Sequence, residues 1–523
     1  MPTVISYIIC AIPKLAPASC RDISFCRIAR LTLLIAAVAG TTAAPVSGAD
    51  EVPLDAPAPR IQPDYSELII PPNIAPLNFQ IREPGSAFRV RLEADAGTPV
   101  EVTTSSPIIQ FPDKAWSQLL ASNAGHSLRL DIWIKGADAR WKRFQTITNR
   151  IAAETIDPVL LYRKLHPVQN AWSTMGLYQR QLQTFKETSF LDNARFNEEC
   201  CHCHALRNND PNTATVGIRS TFFGNQLLVI NHGAVESIHG AVGYPAWHPN
   251  APIVAAAFSK PRLLLHTAKL NDMRDIIETE SWLGYFHLDS SSVSRIPAAD
   301  NSKLAGSPAW SADGAYLYYC CAPSPLAVAT NTIDAAYNQI KYDLMRIAYD
   351  VDKDHWGTPE LVLSARTLGL SIALPRLSPD GRWLFFCGTA YGCWPVYAPD
   401  SDLYGIDLHT GGNGAQFAWR KLEISSPGAV SWLSWSSNSR WVVFSTKRMS
   451  PLFSRPHLAY VGADGRCGKP FVLPQRDPTF YDSQLLTYTL PTLATGPMQV
   501  SQAALVRAIK NKHHRDLQLP PPK

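Results

Sequence analysis

Alternating apolar and polar residues mark the first recognisable domain of the chain. Residues 128–134 place Leu, Leu, Ile and Ile at every second position, and residues 88–92 repeat that period of two. A period of two puts the apolar side chains on one face of a β-strand. The pattern predicts a small β-sandwich-like domain over residues 79–157.

A longer pattern recurs through the C-terminal half. Each copy is a strand, a tight turn and a second strand rich in aromatic or β-branched residues, with a bulky apolar residue ending the first strand: Trp247, Trp310, Leu377 and Trp435. Further strand pairs lie between the copies, and four strands in each period are typical of a β-propeller. We predict a mainly β protein with a C-terminal propeller over residues 213–500, of about five blades with a range of four to six. An elongated sandwich array is the alternative.

The remaining segments have signals of their own. Arg27 and Arg30 precede an apolar run and small residues before Asp50, so residues 1–49 are predicted to be an export signal. Residues 50–78 are predicted to be a Pro-rich leader, and 158–212 a short helical connector because of their apolar spacing. Residues 501–523 are predicted to be a disordered basic tail.

Composition and charge exclude several classes of function. Hydrophobic residues make up 46% of the chain and charged residues 17%, which excludes bulk disorder. The net charge is +5, and four basic residues against one acidic residue within 1–49 supply +3 of it, which leaves +2. This balance argues against a nucleic-acid partner. Beyond the export signal no apolar stretch is long enough to span a bilayer, so the mature chain is expected to be periplasmic or secreted.

Three cysteines within four residues are the main chemical signal. Residues 200–204 read Cys-Cys-His-Cys-His, which satisfies Cys-x-x-Cys-His, the attachment signature of c-type haem. On one helical turn this spacing aligns the thiols of Cys200 and Cys203 with the porphyrin vinyls and places His204 under the iron as proximal ligand. Export agrees with this interpretation, since c-type haem is attached outside the cytoplasm. The sequence therefore predicts a covalent haem c, with zinc or structural thiols as the alternatives.

A candidate for the sixth iron ligand comes from the internal repeat. Three repeats have Ser after the key apolar residue, whereas the first repeat has His248. A residue that interrupts a repeat is not required by the fold, so His248 is a possible distal ligand. A histidine bonded to a turn backbone is the alternative.

The repeat and several further segments together resemble a known family. Residues 74–79, 175–180, 200–204, 209–212 and 244–250 are similar to secreted bacterial TolB-like (WD-type) propeller proteins with one Cys-x-x-Cys-His upstream of the propeller. The resemblance spans most of residues 64–500. It implies a propeller fold and the haem motif, but no demonstrated activity.

Two hypotheses of function follow. In the first, the protein carries haem c and transfers electrons or senses a small ligand, with the propeller as docking platform for a periplasmic protein. In the second, it is a haem-free interaction scaffold with a structural or zinc-binding cysteine cluster. Gly-x-Ser-x-Gly, His-Glu-x-x-His, phosphate-loop and dinucleotide signatures do not occur, which argues against a hydrolase attached to the propeller. A propeller enzyme whose site is built from loops is a weaker third hypothesis.

The haem hypothesis makes a direct spectroscopic prediction. After periplasmic expression with the haem-attachment machinery, the denatured protein in alkaline pyridine should show a c-type band that survives acid–acetone extraction. Replacing Cys203 or His204 should abolish the haem spectrum and leave the propeller folded. A colourless, folded wild-type protein would contradict the hypothesis.

Overall fold

The computed structural model describes residues 56–167, 174–265, 274–290, 292–300, 302–324, 335–410, 417–512 and 514–521. The predicted export signal, residues 1–49, lies outside the described residues. Within them, no helix is long and apolar enough to cross a membrane. Four α-helices are present in this part of the chain: α1 Asp113–Ser122, α2 Ala365–Leu368, α3 Phe480–Ser483 and α4 Gln502–Lys510.

The N-terminal domain consists of a three-stranded and a six-stranded sheet with α1. The predicted alternation is present, because the apolar residues of the two central strands are buried and their polar neighbours are more exposed. Part of the predicted leader belongs to this domain, since β1 and β2 are strands of its sheets. The strands are β1 Ile61–Gln62, β2 Ile69–Ile70, β3 Phe79–Ile81, β4 Ala87–Ala94, β5 Val100–Thr104, β6 Ile108–Ile109, β7 Ser127–Lys135, β8 Trp141–Arg143 and β9 Ile147–Ile151.

Six sheets of consecutive antiparallel strands make up the rest of the described chain. Sheet 1 contains β10 Val159–Leu165, β11 Gly176–Gln181, β12 Glu187–Asp192 and β34 Thr487–Ala494. Sheet 2 contains β13 Cys200–Arg207, β14 Asp210–Arg219, β15 Gln226–Asn231 and β16 Ala234–His239. Sheet 3 contains β17 Gly243–Trp247, β18 Ile253–Leu265, β19 Arg274–His287 and β20 Ser294–Arg295.

Sheets 4 to 6 follow the same order. Sheet 4 contains β21 Lys303–Trp310, β22 Tyr316–Pro323, β23 Asp343–Asp350, β24 His355–Trp356 and β25 Glu360–Leu363. Sheet 5 contains β26 Ser371–Leu377, β27 Trp383–Thr389, β28 Asp402–Asp407 and β29 Trp419–Lys421. Sheet 6 contains β30 Val430–Trp435, β31 Trp441–Thr446, β32 Arg455–Tyr460 and β33 Phe471–Val472. A short strand, β35 Arg515–Asp516, adds to the edge of sheet 2.

The inner strands of these sheets form a closed ring. β13, β17, β21, β26, β30 and β34 each contact the next, and β34 contacts β13. Ring closure depends on β34, a C-terminal strand that pairs with β10 and so completes the first sheet. This arrangement is a β-propeller, which confirms the predicted mainly β fold. The propeller begins at β10, well before residue 213.

Each inner strand has an irregularity at the same place. The register shifts by one residue, and a residue with positive φ lies at the shift: Cys203 (37°), Tyr244 (49°), Ser307 (53°), Leu374 (51°), Trp432 (55°) and Leu490 (55°). Such β-bulges re-aim the side chains that follow them. We call them the inner bulges.

The predicted helical connector over 158–212 is absent from the described part of that range, residues 158–167 and 174–212. These residues form β10 to β13 and the start of β14, with one short 3₁₀ turn at Asn193–Phe196. The apolar spacing misled the prediction because β10 is buried on both faces, so adjacent residues such as Leu160 and Leu161 are both apolar. A strand covered on both sides loses the period of two.

The predicted disordered tail is largely ordered. Residues 502–510 form α4, whose Leu505, Ala508 and Ile509 are buried against sheets 1 and 2. Ser501 begins the helix by accepting a hydrogen bond from the Ala504 N–H, at 3.2 Å from N to Oγ. The amphipathic pattern of α4 explains why the basic composition of the tail did not prevent folding.

Docking of α4 can be measured through one core residue. Leu505 is fully buried, so Leu505→Ala should lower the free energy of unfolding by about 2–5 kcal/mol in urea denaturation. Arg507→Ala on the exposed face of the same helix should change it by less than about 0.5 kcal/mol. Equal effects of the two substitutions would contradict the docked helix.

Candidate functional site

The ring of inner strands encloses a cavity of about 440 Å³ at one end of the central channel. The cavity wall takes residues from all six inner strands, and its size is in the range of small-molecule sites. The residue two positions after each inner bulge lies in this wall: Ala205, Ala246, Ala309, Arg376, Ser434 and Thr492. Five of the six are small, which keeps the channel open, and the sixth is arginine.

Arg376 is the one charged residue among these six side chains in the cavity wall. Its Nη1 donates to the carbonyl oxygen of Pro375 at 2.8 Å. Within the described residues no carboxylate forms an ion pair with it. Burial lowers the pKa of Arg376, and the Cys387 thiol, the Tyr244 phenol and the thiols of Cys203 and Cys320 oppose this shift. A shielded cation without a carboxylate partner is costly unless an anion reaches it.

Neutral polar groups around Arg376 also lack partners. In the part of the chain that the structure describes, the Tyr244 hydroxyl, the Trp432 Nε1 and both ring nitrogens of His204 are buried without a hydrogen bond. All three side chains line the cavity. Tyr244 stacks on Trp432 with ring centroids 6.2 Å apart. Buried polar atoms in native proteins nearly always have partners, so these groups point to a bound molecule or water.

Glu278 of β19 lies in the wall of a second, smaller pocket. Only 3% of it is exposed, and its Oε2 lies 3.5 Å from the position of a Cβ built on Gly306, an ordinary contact distance. Burial raises the pKa of Glu278 to about 7, while hydrogen bonds from Ser281 and Ser259 oppose the rise. Glu278 in turn raises the pKa of Tyr244, so the two groups lie within electrostatic range.

The cysteine motif occupies strand β13, not a helix. Cys200 and Cys201 are buried, and burial raises the pKa of both thiols. Cys203 is the residue of the inner bulge, and His204 follows it into the cavity wall. Burial, reinforced by Arg163, lowers the pKa of His204 to about 4, so its imidazole is neutral at pH 7.

The positions of these residues can be compared with what haem c requires. Two thioether bonds need both thiols at one edge of the same porphyrin, with the histidine beneath the iron. Cys200 instead belongs to the apolar core that contains Phe190 and Phe196, whereas Cys203 is the residue of the inner bulge and His204 lines the cavity. The arrangement does not fit a haem held by both cysteines.

His248 is placed in a turn and not in the cavity wall. Its Nδ1 accepts hydrogen bonds from the N–H groups of Asn250 (3.1 Å) and Ala251 (2.9 Å). The ring contacts Trp310 edge-on at 4.7 Å, and Gly314 has no Cβ that would collide with Nε2. The structure does not bring His248 together with His204, and its hydrogen bonds explain it as a turn residue.

Sequence reasoning missed Arg376, Tyr244 and Trp432. A signal for Arg376 exists, because the Pro-Ala-Trp of two repeats becomes Pro375-Arg376-Leu377 in a third. The same alignment shows that His204 stands where four other inner strands have proline: Pro245, Pro308, Pro375 and Pro491. His204 and Leu433 are therefore the two residues that interrupt the repeat at this position, and of the two only His204 has a polar side chain.

Comparisons with known proteins bear on the fold only. No family model and no curated protein matches the chain. Similar solved structures include a putative TolB from Agrobacterium tumefaciens, at 12% identity over 60% of this chain and 87% of that chain, with a TM-score of 0.36. A luciferin-regenerating enzyme is 11% identical over 66% of this chain and 92% of that chain, with a TM-score of 0.36.

A third similar structure is an oligogalacturonate lyase from Vibrio parahaemolyticus. It is 14% identical over 73% of this chain and all of that chain (100%), with a TM-score of 0.34. A TolB-like propeller is thus among the neighbours. Likeness at this level carries no argument about activity, and the assignment of a propeller rests on the closed ring of strands.

The raised pKa of Glu278 predicts a pH-dependent stability. Between its ordinary value of 4.5 and about 7, the folded protein keeps a proton that the unfolded chain has released, so stability falls as pH rises. Glu278→Gln should lack this loss. The free energy of unfolding of the variant, relative to wild type, should rise by on the order of 3 kcal/mol from pH 4.5 to 7.5 in urea titrations.

Two features make that comparison specific. The lowered pKa values of His202 and His204 act in the opposite direction, but both proteins share them. Glu280→Gln, an exposed position on the same strand, is the matched control and should show no pH-dependent difference. A difference for Glu278→Gln that is constant with pH would contradict the prediction.

Proposed function

We propose that the protein binds a small organic anion in the central cavity, with Arg376 as its charge partner. The observation behind this proposal is that the column of five small residues around the channel is interrupted by an arginine that no described carboxylate neutralises. An anion at this position would offset the cost of shielding the guanidinium.

The neutral groups around Arg376 define the rest of the ligand. The Tyr244 hydroxyl and the Trp432 Nε1 are hydrogen-bond donors without partners among the described residues, so the ligand should carry acceptor oxygens besides its charged group. The stacked rings of Tyr244 and Trp432 offer an apolar wall. A carboxylate or phosphate on a small, partly apolar body meets these requirements, and a cavity of about 440 Å³ accommodates it.

Covalent haem remains a prediction from the Cys200-x-x-Cys203-His204 motif, together with electron transfer or ligand sensing. Its support is the motif and the resemblance to secreted TolB-like proteins; the separate surroundings of Cys200 and Cys203 weigh against it. Export to the periplasm and a protein partner docked on the propeller likewise remain proposals. The pyridine assay tests covalent haem independently of the anion site: a c-type band would support it, and a colourless, folded protein would contradict it.

The test of the proposed function is an anion-binding panel. Arg376→Gln removes the charge, so affinity for an anion that stabilises the wild-type protein should fall by about 30-fold or more, as for the loss of a buried charge partner. Thermal unfolding with small carboxylates and organic phosphates identifies the ligand class, and quenching of tryptophan fluorescence gives the dissociation constant.

The matched control is Arg366→Gln, an exposed arginine in α2. It should bind the anion as wild type does. The proposal is contradicted if no member of either anion class shifts the unfolding temperature, or if Arg376→Gln binds as tightly as wild type.

A further inference from the structure

The C-terminal tail brings two side chains onto the outer edge of sheet 2. β35 pairs in parallel with the end of β16, with Asp516 opposite His239. The Leu517 N–H donates to the carbonyl oxygen of His239 at 2.9 Å, and Arg515 pairs with Glu236 at 2.9 Å between Nε and Oε1. These contacts fix the strand and hold His514 and Asp516 beside His239.

The three side chains are close enough to share an ion. The imidazoles of His239 and His514 stack with centroids 3.3 Å apart and planes 1° from parallel. Nε2 of His514 lies 3.6 Å from Oδ1 of Asp516, and one ligand atom from each residue lies within 4.8 Å of the others. Nε2 of His239 is buried and has no hydrogen-bond partner among the described residues.

We propose that His239, His514 and Asp516 bind a divalent transition-metal ion of the Zn²⁺ class. Two imidazoles and a carboxylate are a common zinc ligand set, and three protein ligands leave the fourth tetrahedral position to water. The imidazoles stack face to face, so their in-plane lone pairs are parallel and do not converge in this structure. Because one ligand atom of each residue lies within 4.8 Å of the others, rotation of the two side chains would bring both nitrogens to the roughly 2.0–2.1 Å that Zn²⁺ requires.

The surroundings of the three residues agree with this site. A Cβ at Gly224 would lie 3.4 Å from Cε1 of His239, in ordinary van der Waals contact, so the ring lies against the turn that precedes β15. The basic Arg515 is neutralised by Glu236.

Metal binding would fasten the tail to the propeller. The Val293 N–H donates to the carbonyl oxygen of Gln518 at 3.0 Å, so the tail also contacts the chain next to β20 of sheet 3. An ion at His239 and His514 would therefore clamp the C-terminal tail across the outer edges of two neighbouring sheets.

The experiment uses the full chain, reduced and freed of metal with a chelator. Calorimetric titration with ZnCl₂ at pH 7 should give one ion per chain. His239→Ala and His514→Ala should each weaken binding by at least about tenfold, and Asp516→Asn should weaken it as well. With Co²⁺ as probe, the spectrum should show d–d bands without a thiolate charge-transfer band.

Two control variants separate this site from other zinc ligands. His355→Ala alters an exposed histidine on sheet 4 and should bind as wild type. Cys203→Ser should also bind as wild type, because the cysteine motif is not part of the site. Three results would overturn the proposal: no binding tighter than about 100 µM, unchanged binding in both histidine variants, or loss of binding in Cys203→Ser.

Discussion

The inner bulge is the constraint on which the channel of this protein depends. A regular inner strand would alternate its side chains between the two faces of its sheet, which pack against neighbouring sheets. The extra residue in each strand breaks that alternation, and the side chain two positions on lies in the cavity wall. None of the six bulge residues is glycine, so each positive φ costs of order 1–3 kcal/mol and persists because the flanking ladders over-determine it.

The position two residues after each inner bulge also explains which side chains enter the channel. Where small side chains follow the bulge, the channel stays open; where Arg376 follows it, a cation enters the channel without a described carboxylate beside it. Glu278 is in electrostatic range of the same cavity but carries its proton up to about pH 7. Below about pH 7 the acid is mainly protonated and does not neutralise Arg376, which leaves that charge for an anion.

The cysteine motif has a structural role in this geometry whether or not it has a chemical one. Cys200 and Cys201 fill the core between sheets 1 and 2, and Cys203 and His204 occupy the bulge that every inner strand contains. Residues spaced for haem on a helical turn are separated once they lie on a bulged strand. His204 remains a candidate functional residue, because four other inner strands have proline at its position and its ring nitrogens have no described partner.

Local patterns in the sequence determined the class of fold. The alternation in β4 and β7 and the repeat ending in Trp247, Trp310 and Trp435 specify strands and turns through contacts between near neighbours, so both were recognisable. Patterns that depend on distant partners were not. β10 resembled a helix because it is covered on both faces, and α4 has an amphipathic face whose partner surface comes from sheets 1 and 2.

The candidate sites likewise depend on residues that are distant in the sequence. Ring closure by β34 turns separate strands toward one axis, and only this brings Arg376, Tyr244 and Trp432 into the same cavity wall. His239 and His514 lie side by side only because β35 returns to the edge of β16. Short-range periodicity selects the secondary structure of a segment, whereas burial and electrostatics are set by which segments meet. The sequence by itself therefore determined the repeating strands, and the tertiary structure decided which side chains form a site.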